Sequence, residues 1–381
     1  MHRVQLHYTL CRDGADALVR HPLIDLLQAV DAQGSISAAA RALGLSYRHV
    51  WGELKRWEDE LGNELIVWEK GQAARLSDFG AKLMWAERQA QARLSPQIEA
   101  LRADLERAFA VAFDPSAHVL TLYASHDDAL PVLRAQAARQ ANLHLDIRFT
   151  GSVDAIRALN EGRCVMAGFH TLQHTHATSP SRRVYKPLLQ PGQHKIIGFA
   201  RRTQGLMVAA GNPLGLFTLR DVAERPARFA HRALGSGTRV VLDELLAEAG
   251  LPANAINGDE PAEPSHAAVA QAVAAGAFDA GLGIEAAARA AGLGFVPLAE
   301  ERYHLVCLKS ALDQPGVQAL LAWLRTPAWQ AELGAIAGYR PLQSGEVLSM
   351  RQVLPWWDYR REKARAGTPV SVKAGATVSD R

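Results

Sequence analysis

Apolar positions along the chain fall into two textures, and the first is helical. From His21 to Gln33, Leu23, Leu26, Leu27 and Val30 share one face, a spacing near 3.6 that predicts an amphipathic helix. Gly34 and Ser35 then break the pattern and supply a cap. Two short helices are predicted around Gly44, where a tight turn calls for positive φ, and Ser46 caps the second of them. In that second helix Val50, Leu54, Trp57 and Leu61 recur at spacings of 4, 3 and 4, which gives it one buried face. A hairpin-like stretch from Leu65 to Leu76 follows. From Ser77 to about Phe109 the chain reads as one long alanine-rich helix with few breakers. Its stripe is Leu83, Ala86, Ala90, Leu94, Ile98, Leu101, Leu105 and Phe109, and Asp114-Pro115-Ser116 ends it. Ahead of all this, Val4, Leu6, Tyr8 and Leu10 alternate weakly, as in a short leading strand.

The second texture begins at His118. HVLTLYAS reads as a strand leading into a helix start, LHLDIRFTGS repeats the arrangement, and strands alternate with helices past residue 300. That alternation predicts a mostly parallel, doubly wound sheet. After Lys363 the sequence ARAGTPVSVKAGATVSDR has no periodic apolar pattern. The expected division is therefore a helical domain closing in a hairpin over 1–80, a linker helix over 81–113, an α/β domain over 118–355, and a disordered tail over 364–381.

Composition adds limits. With 48% hydrophobic and 21% charged residues this is an ordinary globular mixture. The formal charge is +3, and the segment from Arg351 onward alone holds seven Lys/Arg against three Asp/Glu. A nucleic-acid surface must therefore be a local patch. Cys11, Cys164 and Cys307 are scattered and odd in number, which argues against a disulfide framework or a zinc cluster. There is no signal-peptide core and no apolar run of bilayer length, so the expected location is the cytoplasm, with no membrane partner.

Candidate chemistry sits in two places. On the helix after Gly44 the polar face carries Tyr47, Arg48, Trp51 and Lys55, with Arg56 to one side. These are the early and middle turns with which a recognition helix meets base edges and phosphates. Lys70, Gln72 and Arg75 suit a wing over the backbone, and the caps Ser35 and Ser46 complete the expected set facing double-stranded DNA. In the α/β module, Ser125-His126-Asp127, Thr150-Gly151-Ser152 and Gly235-Ser236-Gly237-Thr238-Arg239 each follow a strand-like segment and open a helix. Helix starts present free N–H groups and partial positive charge, so converging ends make an anion site. The expected ligand contacts are Ser125, His126, Ser152, His170, Ser236, Gly237, Thr238, Arg239 if turned inward, and His266. His170, His174 and His176 have no acidic or thiol companion, and neither a metal nor a cofactor is assigned. There is no G-x-S-x-G elbow, no phosphate loop and no dinucleotide fingerprint, so no enzymatic activity is expected.

The run GSISAAA…LSYRHVW…G…RLSDFG resembles the DNA-binding domain of the LysR-type regulators. Matching positions are Ser35, Ala39, Ala40, Leu43, Ser46, Val50, Leu54, Glu58, Leu61, Gly62, Leu76, Ser77 and Gly80. Its wording is also similar to that of the molybdate-responsive regulators. GSV…IRALNEGRCVMAGFH, RRTQGLMVAAGNP, LGSGTRVVLDELL, SHAAVAQAVAAGAFDAGLGIEAAA and GFVPLAEERYHLV resemble a cytoplasmic periplasmic-binding-protein-like domain. They are also similar to a domain attached to molybdopterin-biosynthesis proteins. The resemblance implies an all-α, winged helix-turn-helix N-terminal domain plus a two-lobed α/β periplasmic-binding-protein-like (type II) domain. It also implies a homodimer or higher homo-oligomer and a small, anionic effector: molybdate, tungstate, a small carboxylate or a molybdopterin precursor. The small β-barrel pair that binds molybdate in the molybdate-responsive regulators is not recognisable here. The competing reading is a small-molecule-binding protein or enzyme of molybdenum-cofactor metabolism whose N-terminal helices serve dimerisation.

Overall fold

The computed structural model describes residues 21–68, 73–114, 116–176, 178–256 and 262–357. The expected leading strand, Cys11, Lys70, Gln72 and the tail 364–381 lie outside the described residues.

The chain opens with α1 (Pro22–Gln33), α2 (Ile36–Ala42) and α3 (Tyr47–Leu61), then the hairpin β1 (Ile66–Val67) and β2 (Arg75–Leu76), then α4 (Asp78–Phe113). Local chemistry sets each boundary. Gly34 closes α1 in the left-handed region at φ 60° and Ser35 caps α2 through the Ala38 N–H. Gly44 turns the chain at φ 67° and Ser46 caps α3 through the His49 N–H. Leu27, Val30, Ala39, Val50, Leu54 and Leu65 bury together beneath this hairpin of helices. Each large side chain so buried contributes about 1.5–3 kcal/mol. Gly80, at the start of α4, lies against the wing root, where an added Cβ would stand 2.3 Å from the Leu65 carbonyl oxygen. Helix α4 ends at Phe113, where the expected linker helix closes, and passes through Pro96. Leu94, Leu101 and Phe109 of its stripe are exposed.

The remaining elements are β3 (His118–Ala124), α5 (Ala129–Ala141), β4 (Leu143–Phe149), α6 (Ser152–Asn160), β5 (Met166–Leu172), α7 (Pro180–Tyr185) and β6 (His194–Val208). Then come α8 (Leu219–Glu224), β7 (Phe229–Ala230), α9 (Gly237–Glu248), α10 (His266–Ala274), β8 (Ala280–Ile284), α11 (Glu285–Ala290) and β9 (Gly294–Leu308). Helices α12 (Pro315–Leu324) and α13 (Pro327–Ala335), strands β10 (Tyr339–Pro341) and β11 (Val347–Leu348), and α14 (Met350–Val353) complete the order. No helix among the described residues is long and apolar enough to cross a membrane.

By compactness the chain forms two units. One comprises Met1–Arg102, Gly205–Ala233 and Ile256–Val296, and the other Ala103–Gln204, Leu234–Ala255 and Pro297–Arg381. In the second unit the strand order is β4-β3-β5-β9-β6. Strand β3 pairs in parallel with β4 and β5, as expected for strands joined through helices. Strand β9 runs antiparallel to β5, and β10 and β11 run antiparallel to β6. The sheet is therefore mixed, which corrects the mostly parallel expectation. No single helical crossover joins β5 to β9, so nothing imposes a parallel direction on that pair. In the first unit β7 pairs in parallel with β8.

Candidate nucleic-acid interface and effector site

On α3 the buried face is Val50, Leu54 and, unexpectedly, Glu58, while Trp57 and Leu61 are only partly buried. Glu58 Oε1 accepts the backbone N–H groups of Leu65 at 2.9 Å and Ile66 at 3.3 Å, and its other oxygen takes Lys55 Nζ at 2.6 Å. Burial pushes the carboxyl up, but the Lys55 ammonium and the two backbone donors outweigh it and hold the group below its ordinary value. Glu58 thus fastens the root of the β1–β2 hairpin to α3.

The polar face is arranged from Ser46 onward. Tyr47 and Arg48 are exposed, and Trp51 is half-buried with its ring nearly parallel to that of Tyr47 at 6.4 Å. Lys55 Nζ lies 5.1 Å from the Trp51 ring centre and is tied to Glu58, so it is a held cation, unlike Arg48. Arg48 and Arg75 make no ion pair among the described residues and remain exposed. Ser35 and Ser46 have their hydroxyls on helix caps, at 3.4 and 3.2 Å. Lys70 lies outside the described residues.

In the second unit three segments far apart in sequence meet. Ser125 Oγ and Ser152 Oγ are 3.1 Å apart, both buried. The start of α6 presses on the start of α9: Val153 N–H donates to Gly235 O at 3.2 Å, and a Cβ on Gly151 would lie 2.7 Å from that oxygen. A Cβ on Gly237 would lie 2.3 Å from His170 Cδ2 and 2.8 Å from Ser152 Oγ, so only glycine fits there. His126 is buried with its ring 4.7 Å from that of Phe149. Ser236 caps α9 by accepting the Arg239 N–H at 3.3 Å, and Thr238 is buried in the first turn.

Arg239 Nε pairs with Asp243 at 3.4 Å along its own helix, in i,i+4 spacing. His266 belongs to the first unit, where it is buried one residue after the Ser265 cap of α10. The glycines of β8 serve packing: a Cβ on Gly281 would strike Val269 of α10 and one on Gly283 would strike Met207. His174 and His176 are exposed while His170 is buried, and no group of three metal-ligating side chains occurs among the described residues.

Behind Ser125 lies a network that sequence reasoning missed. Arg202, buried on β6, bonds both Asp127 and Glu301, and donates from Nη2 to His170 Nδ1 at 3.1 Å. Tyr339 O–H donates to Asp127 at 2.6 Å and Gln204 to Glu301 at 3.0 Å. Burial works against the Arg202 charge, but Glu301, Tyr339 and Asp127 hold its pKa well above the ordinary range. Burial raises Glu301, with Arg202 opposing. Arg202, Gln204 and Glu301 all fall in segments singled out by resemblance. Only the inward register of an arginine within an apolar strand could have marked its role.

Residues 134–325 match the PBP superfamily domain, and residues 23–81 match the bacterial regulatory helix-turn-helix protein, lysR family. The uncharacterized protein YvgK of Bacillus subtilis (strain 168) is 28% identical over 201 residues, 53% of this chain, and the match spans 64% of YvgK's own length. An uncharacterized protein from the 5′ region of the 2Fe-2S ferredoxin gene of Clostridium pasteurianum is 30% identical over 111 residues. That match takes in 29% of this chain and 98% of the relative. Among solved structures, a mutant of full-length BenM aligns over 84% of this chain and 98% of its own, with 15% identity and a TM-score of 0.42. CbnR in complex with its target DNA aligns over 78% and 95%, with 17% identity and a TM-score of 0.36.

The Glu58 clamp carries a pH signature. Its folded pKa lies below the ordinary value, so its contribution is fully present above about pH 5 and is lost as pH falls through the lowered value. Glu58→Gln should therefore destabilise the reading head by about 1–3 kcal/mol at neutral pH. Thermal denaturation of both proteins from about pH 7 to pH 3 should show the gap closing with acid; a gap that stays constant would exclude the ionised carboxylate as the fastener.

Proposed function

We propose that this chain, which belongs to the PBP superfamily, is a LysR-type transcriptional regulator whose PBP-like domain binds a small oxyanion that adjusts operator binding. The observation that carries this reading is the meeting of the α6 and α9 starts at Ser125, Ser152 and Gly237. The buried Ser125 and Ser152 hydroxyls and the first turns of α6 and α9 gather hydrogen-bond donors in one place. Such a surface suits an anion small enough to be gripped by dipoles, since a helix start carries about half a positive charge. Arg202 adds none, because Asp127 and Glu301 consume its charge. Molybdate, tungstate or a small carboxylate fits this chemistry.

The protein acts in the cytoplasm on double-stranded DNA, as a homodimer or higher homo-oligomer. Arg48, exposed on the recognition helix, reads a base, and Arg75 touches the backbone. The exposed Leu94, Leu101 and Phe109 of α4 supply a face for a second copy.

Four measurements test these statements. Arg48→Ala should weaken binding to the duplex flanking the protein's own gene by about 1–3 kcal/mol at fixed salt, with relaxed preference at one base pair. Unchanged affinity and preference would take Arg48 off the reading face. Leu94→Glu should sediment as a folded monomer with poor operator binding, and an intact dimer would rule out α4 as the interface. Thermal shift against molybdate, tungstate, sulfate and small carboxylates should yield one that raises the melting temperature. Ser152→Ala should weaken that anion about ten- to hundredfold. Wild-type affinity in both Ser152→Ala and Ser125→Ala would place the effector elsewhere.

A further inference from the structure

Pro96 lies inside α4. A proline has no N–H to give the carbonyl four residues back, which here is Ala92. That carbonyl is satisfied from outside the helix: Ser265 Oγ donates to Ala92 O at 3.2 Å. Ser265 is also the N-cap of α10 and accepts the Ala268 N–H at 3.0 Å. One hydroxyl therefore closes two helix defects, an open carbonyl in α4 and an open N–H in α10.

The next residue of α4 repeats the attachment with charge. Arg93 forks onto Glu263, Nε to Oε2 at 3.0 Å and Nη2 to Oε1 at 2.6 Å. Glu263 is buried, and the hydrogen bond that Arg93 donates to it raises the Arg93 pKa despite opposing burial. The segment that carries Glu263 and Ser265 is itself fixed, since Glu263 N–H donates to His231 O at 2.8 Å and Arg232 Nη2 to Pro264 O at 3.0 Å. All of these residues belong to the same compact unit as the reading head. An ordinary helix packing contact would be apolar, whereas this one aims a hydroxyl and a buried carboxylate at the single turn that proline leaves open.

We propose that Ser265, with Glu263, is the positioning group through which the first turn of α10 holds α4. The Pro96 notch is its receptor, so a change at α10 is passed to the helix that carries the reading heads. The regulatory meaning rests on the reading of the chain as an effector-responsive, DNA-binding protein, but the latch itself does not.

Ser265→Asp separates the two roles of the hydroxyl. Aspartate still caps α10 but cannot donate to Ala92, whereas Ser265→Thr keeps both functions. Hydrogen exchange on the full chain, without DNA or ligand, should show the α4 segment around residues 92–100 exchanging about threefold to tenfold faster in Ser265→Asp. The head helices and Ser265→Thr should match the wild type. In a Pro96→Ala background Ala92 regains an N–H partner, so Ser265→Asp should have no further effect on α4. Wild-type exchange in Ser265→Asp, or the same increase with and without Pro96, would overturn the latch. On the duplex flanking the gene, Ser265→Asp should shift affinity at least about fivefold although α3 is untouched. An unshifted affinity beside a loosened α4 would overturn the coupling. A wild type that ignores the duplex counts against the regulator reading alone, and exchange still decides the latch.

Discussion

The second unit is organised around one buried charge. Arg202 ties together the residues after β3 through Asp127, strand β5 through His170, strand β9 through Glu301 and strand β10 through Tyr339. Removing an ion from water costs several kcal/mol, so Arg202 is tolerable only while both carboxylates stay in place. The converse also holds. Asp127 is set by Arg202 and Tyr339, and Ser125 stands two residues before it, beside Ser152. The donor surface proposed for the effector is therefore held in place by a charge network that it does not itself use.

The reading head was legible because its rules are local. Gly34, Ser35, Gly44 and Ser46 act within four residues of their own position, as a left-handed turn or as a cap, and each does in the structure what its residue type predicts. The apolar period of α3 located Val50 and Leu54, but it placed Leu61 where Glu58 in fact sinks. A periodicity argument counts Glu58 as polar and sends it outward. Its burial depends on Leu65 and Ile66, whose N–H groups face it only after the wing has folded back.

In the α/β module the helix starts at Ser152 and Gly237 could be read, since strand, glycine, hydroxyl and helix follow one another directly. That they press on each other, with Gly237 against His170, could not. Contacts such as Arg202 to Asp127 or Tyr339 join positions 75 and 137 residues apart, and pattern along the chain has no access to them. Pro96 was overlooked for a different reason. In a 36-residue alanine-rich helix one breaker looks affordable, and its consequence appears only at residue 265.

A sensor that grips an anion with dipoles instead of a cation gains selectivity from geometry. A guanidinium at the site would attract any anion at long range, and most of the affinity would be indifferent to shape. Here the Arg239 charge is spent on Asp243 and the Arg202 charge on Asp127 and Glu301. The donors proposed for the effector, the hydroxyls of Ser125 and Ser152 and the first-turn N–H groups, are short-range and act only on an oxygen at hydrogen-bond distance. Glycine at 151 and 237 is what lets those donors crowd together, since a Cβ at either would push the helix starts apart. An effector can shift a regulator between states only by its difference in affinity for them. Donors that lose most of their grip over a fraction of an ångström make that difference large for a small movement, which a long-range charge cannot do.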